Sequence, residues 1–211
     1  MRPRLPARAV TGVLLSLALT LTGCGAAPGP QAEPAPARYS GTWLSEGYPV
    51  PDATLTDTQG QHFNLRTSPS KPVVLVFFGY TSSTTRCAQV MTTITKAREL
   101  LPDHLAAKVQ VVVVSIDPER DTPEVLRHWL DRWDGSYLGL RGDLDEVREV
   151  AGDLGVEIGG RQQGGHGDYE IAHGAQVVGV DRERRARLVW LEGTSADVLA
   201  ADLETFVEEQ L

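Results

Sequence analysis

Cysteine is nearly absent from this chain: 211 residues carry only Cys24 and Cys87. A disulfide framework is therefore excluded. Methionine is as scarce, with 2 residues, and no proline follows Pro123. Basic charge is also short, with 20 Lys and Arg against 28 Asp and Glu and a net charge of −8. That deficit argues against a nucleic-acid partner, which needs clustered cations to displace counterions. The one long apolar run, 10–21, falls short of the roughly 20 residues that a spanning helix requires.

The N-terminus reads as an export signal. Arg2, Arg4 and Arg8 precede the apolar run, and no acid interrupts them. Leu21, Thr22, Gly23 and Cys24 then form a lipobox, in which small residues suit a peptidase and the cysteine takes the lipid. The expected division is a signal peptide at 1–23, a lipidated Cys24 with a flexible Ala/Pro/Gly tether at 24–38, and one domain at 39–211. The tether lacks the apolar residues to bury a core. Acyl chains on Cys24 would anchor the domain to a membrane without a crossing helix. The expected location is extracytoplasmic and membrane-anchored. Removal of the signal leaves 17 basic and 28 acidic residues, a net charge of −11. Electrostatic grip on anionic lipid is thus not expected.

Within the domain, 53–57 and 62–65 alternate about a Gln59-Gly60 turn and predict an N-terminal β-hairpin. The runs 73–78 and 109–116 are continuously apolar, as in strands buried on both faces. Helices are expected at about 85–101, from the Thr122 cap and Pro123 to about 133, at about 143–154, and from the Thr194-Ser195 cap to about 210. The Gly- and Gln-rich stretch 159–167 predicts a mobile loop. The runs 175–180 and 187–191 predict a hairpin across the charged turn 181–185. The class is α/β and thioredoxin-like: a central mixed sheet flanked by helices, with an N-terminal β-hairpin.

Two residues stand out chemically. Cys87 follows a buried strand at the expected start of a helix, where free N–H groups and Arg86 favour a thiolate. The alternative is a small buried filler. His173 lies just before the predicted strand at 175, and its imidazole pairs chemically with a thiolate at a soft metal. The alternative is an ordinary polar side chain.

Four stretches place the domain beside a known family. Phe78-Gly-Tyr-Thr81, Cys87, the run Val114-Ser-Ile-Asp-Pro-Glu-Arg-Asp-Thr-Pro123, and Asp168-Tyr169 with His173 resemble the Sco/SenC family from about residue 54 to 206. The resemblance implies a membrane-anchored, thioredoxin-like copper protein. It also implies a partner: a cytochrome oxidase subunit, or another copper-site protein. Family ligands are two cysteines of a Cys-x-x-x-Cys loop and a distant histidine. Cys87 matches the second cysteine and His173 the histidine, whereas Ser83 stands at the first. The loop also lacks the family's Pro and Asp, and Ala88 replaces a Pro. Serine is a hard, neutral oxygen and a poor ligand for Cu(I). Met91, one helical turn past Cys87, and His166, in the 164–167 run, are the candidate substitutes. Core packing and a solvated loop are their respective alternatives.

Three functions follow. The first is copper handling by a metal-binding or assembly protein with no catalytic residues. The second is a one-cysteine thiol peroxidase, from the Thr-x-x-Cys spacing of Thr84 and Cys87. The third is a binding module without metal. A dithiol oxidoreductase is excluded, because one domain thiol cannot resolve a mixed disulfide.

Overall fold

The computed structural model describes residues 39–83, 85–163 and 169–211. Cys24, the signal, the tether, Thr84, His166 and Asp168 lie outside the described residues.

The centre of the fold is a pair of parallel strands, β4 (Val73–Gly79) and β5 (Val109–Ser115). Their β-branched and aromatic side chains suit a pleated surface covered on both faces. Every residue of β4 is buried. The sheet extends on one side through β6 (Leu138–Arg141), parallel to β5, and then through the antiparallel hairpin β2 (Thr54–Asp57) and β3 (His62–Asn64). On the other side it continues antiparallel through β9 (Val177–Val180), β10 (Arg185–Trp190) and β1 (Thr42–Pro49). The eight-strand order is β1-β10-β9-β4-β5-β6-β2-β3. The mixed sheet and the N-terminal hairpin agree with the sequence reading.

Helices α1 (Arg86–Leu100) and α5 (Ala196–Glu208) pack on each other, and the single turn α2 (Asp103–Ala106) adjoins them. Helix α3 (Pro123–Leu130) begins as its sequence dictates: the Thr122 hydroxyl accepts from Val125 N at 3.3 Å, with Pro123 at the first position. It ends at Leu130, short of Trp133. Asp143 caps α4 (Leu144–Asp153), and Ser195 caps α5.

Four strands depart from the sequence reading. β1 and β6 had not been expected. The predicted 159–167 loop is corrected over its first half, since β7 (Ile158–Gln163) pairs antiparallel with β8 (Tyr169–His173). The Gly and Gln residues of β7 are mostly exposed and have little strand preference, so pairing with β8 makes them a strand. This two-stranded sheet is separate from the main one. His173 accordingly ends a strand instead of preceding one.

Candidate metal centre

The carboxyl end of β4 leads into the site. A Cβ on Gly79 would lie 2.6 Å from the Phe77 ring and 3.1 Å from Cys87 Sγ, so only glycine lets the backbone pass beside this sulfur. Cys87 is the second residue of α1 and is fully enclosed. Its backbone N–H donates to Ser83 Oγ at 3.4 Å, so the serine hydroxyl is engaged at the start of the helix.

Cys87 Sγ lies 3.7 Å from His173 Nε2. The other ring nitrogen, Nδ1, lies 2.9 Å from the Ile171 carbonyl oxygen. A carbonyl only accepts, so Nδ1 carries the hydrogen and Nε2 presents its lone pair to the sulfur. Burial holds the His173 pKa below its usual range, which keeps the imidazole neutral. Burial also pushes the Cys87 thiol up, against opposing contributions from Ser83, the Tyr80 backbone and Arg86. The expectation of a favoured thiolate is thereby corrected. Enclosure outweighs the helix terminus, and Arg86 turns outward to Glu192 at 3.1 Å, with both side chains about half exposed.

Sequence reasoning missed two neighbours. The Tyr80 hydroxyl donates to Glu170 and accepts from Ile171 N at 3.2 Å, and its ring meets the His173 ring edge-on at 5.6 Å. Burial, followed by Glu170, pushes the Tyr80 pKa up to about 12. Its place at the end of a buried strand was a usable signal; Glu170 carried none. A cleft of about 410 Å³ opens here, lined by Ser83, Arg86, Glu170 and His173 among others. A separate cleft of about 360 Å³, between α1 and the β10–α5 turn, is lined by neither Cys87 nor His173.

Met91 sits on the buried face of α1 with Val90, Ile94 and Ala97, fully enclosed in the core. Among the described residues, no three His, Cys, Asp or Glu side chains cluster at metal-binding separation. The donor set is one sulfur and one imidazole nitrogen. Cys87 and His173, 3.7 Å apart, are the residues that would hold one ion together. Two soft or borderline donors without a carboxylate suit Cu(I).

These features define a thioredoxin-like domain with an enclosed thiol facing a half-buried imidazole at the mouth of its sheet. The SCO1/SenC family model matches residues 50–208, and the chain belongs to that family. It is similar to apo Sco1 from Thermus thermophilus, with 35% identity, a TM-score of 0.69, and coverage of 79% of this chain and 96% of that one. Bradyrhizobium japonicum ScoI, solved with copper bound, is 29% identical with a TM-score of 0.64, covering 76% and 98%. A SCO2-like protein of Rickettsia felis is 32% identical over 101 residues, 47% of each chain. The match thus spans about half of that relative.

Proposed function

We propose that this is an exported, lipid-anchored copper protein that holds Cu(I) between Cys87 and His173 and passes it to a cytochrome oxidase copper site or a similar acceptor. The observation that carries the reading is the 3.7 Å approach of Cys87 Sγ to a proton-free Nε2. Copper bound in the Bradyrhizobium relative supports it.

Each residue has a defined task. Ile171 O fixes the His173 tautomer and aims Nε2 at the sulfur. Cys87 holds its proton in the metal-free state and releases it when a cation arrives, because a coordinated thiol is deprotonated. The cleft beside His173 brings an incoming ion to the imidazole side of the pair. Ser83 supplies no sulfur, so the site holds its cargo with two strong donors. The anchor on Cys24 rests on the lipobox; no helix among the described residues is long and apolar enough to cross a membrane.

The peroxidase reading gains no support from the geometry. Its thiol would need to be exposed and acidic, whereas Cys87 is enclosed and its pKa is raised.

Competition titration of the intact protein with a Cu(I) chelator tests the proposal. Cys87→Ser should abolish binding and His173→Ala should weaken it strongly. Equal affinity in all three proteins would refute it.

A further inference from the structure

The proposed site has two protein donors on two separately held pieces of structure. Cys87 belongs to the β4–α1 segment. His173 belongs to the β7–β8 hairpin, which shares no ladder with the main sheet. Their separation is therefore set by what docks the hairpin: the direct bonds of Tyr80 to Glu170 and Ile171, and beside them the 117–121 turn.

The turn at 117–121 contacts both pieces. On the cysteine side, the Asp121 carboxylate accepts from Thr81 Oγ1 at 2.6 Å, from Thr81 N at 3.2 Å and from Ser115 Oγ at 2.6 Å. Thr81 opens the loop that leads to Cys87. On the histidine side, the enclosed Asp117 carboxylate accepts from the Tyr169 hydroxyl at 2.8 Å and from Arg120 Nε. The Arg120 guanidinium lies 3.7 Å above the Tyr169 ring and 5.6 Å from the Tyr80 ring, so one cation touches an aromatic of each piece. Glu119 adds an ion pair to Arg161 of β7 at 2.7 Å.

We infer that the 117–121 turn is a strut that sets the Cys87–His173 separation, with Arg120 as its central positioning residue. The inference rests on the copper reading only for its consequence, since the docking contacts involve no metal. A planar guanidinium can pair with Asp117 and lie on the two rings together; an ammonium, a compact point charge, can pair with Asp117 but cannot cover both rings at once. Loss of Arg120 should let the hairpin move on its own pivot while the main sheet stays closed.

The test uses the intact, metal-free protein first. The nuclear Overhauser contact between the His173 ring protons and the Cys87 β-protons should be strong in the natural protein. Arg120→Ala should lose it with far-UV circular dichroism unchanged, Tyr169→Phe should weaken it, and Arg120→Lys should restore it in part. Arg148→Ala, which removes an exposed ion pair with Asp145 on α4, is the control and should change nothing. Cu(I) affinity should follow the same order, with Arg120→Ala down by about tenfold. An undiminished contact in Arg120→Ala would overturn the strut, even if stability dropped. A natural protein that takes no Cu(I) would instead sink the copper reading, and the metal-free contact would still decide the strut.

Discussion

At the residue scale, the resemblance to the family sets Ser83 at the position of the first cysteine, and that placement can be tested. The Ser83 hydroxyl meets the amide of Cys87, so its side chain already faces the turn that carries the thiol. Serine and cysteine differ little in volume. Ser83→Cys should therefore be accepted by the scaffold and add a second soft donor. The expected outcome is a marked rise in Cu(I) affinity, and, on mild oxidation, an intramolecular disulfide with Cys87. A chelator titration beside a thiol count would read both. Unchanged affinity with both thiols still free would show that position 83 does not share the site. The acidity of Cys87 was the residue-scale property least legible in the sequence. Arg86 and the helix start are visible there and point toward a thiolate. The enclosure by Gly79 and Phe77 is a product of folding, and it reverses the sign.

Elements were legible where one physical signal dominated. β4 and β5 announce themselves as apolar runs, and α3 by a hydroxyl cap followed by proline. β1 hides because Gly47, at φ 59°, and a register shift between Trp43 and Tyr48 break its alternation. β6 is four residues long, too short for periodicity to speak. β7 is polar and glycine-rich, and a strand only in partnership. The charged run before α3 folds into a turn that encloses the carboxylates of Asp117 and Asp121 and leaves Glu119 exposed. Asp121 gives a testable consequence. Burial raises its pKa above the usual carboxylate value, so the folded state binds this proton more tightly than the unfolded chain. The stability it contributes is full below about pH 3.9 and is lost as pH rises through the folded pKa. Asp121→Asn lacks this titration while keeping an acceptor oxygen. Urea unfolding at several pH values should show the natural protein losing ground to Asp121→Asn as pH rises from about 4 toward 7. The opposite trend would mean that hydrogen bonds from Thr81 and Ser115 outweigh the cost of burial.

For the whole molecule, the fold places the two donors at the mouth of the sheet, and a separate device fixes the chain's way in. Asp202 of α5 is buried and accepts from Ser40 N, Gly41 N and Trp190 Nε1, each at 2.8 Å. β1 starts at that clamp, and Thr42 pairs with Val189 near the end of β10. β10 in turn runs antiparallel to β9, with Trp190 opposite Val177, and β9 antiparallel to β4, with Val177 opposite Phe77. The chain therefore enters the sheet at the same end as the Cys87–His173 pair, three strands away. On the anchoring proposal, that end is the one held by the lipid. Fatty-acid labelling of cells should mark the natural protein and leave Cys24→Ala unmarked and soluble. Equal absence of label from both would remove the anchor from the account.

The shared ion is the central claim, and X-ray absorption at the copper edge reads it most directly. The intact protein, loaded with Cu(I) under anaerobic conditions, should show one sulfur and one imidazole nitrogen in its nearest shell. Cys87→Ser should retain no copper to give a spectrum, and the spectrum should be unmoved by Met91→Leu. Two sulfurs in the natural protein, or a shell indifferent to Cys87 and His173, would contradict the account.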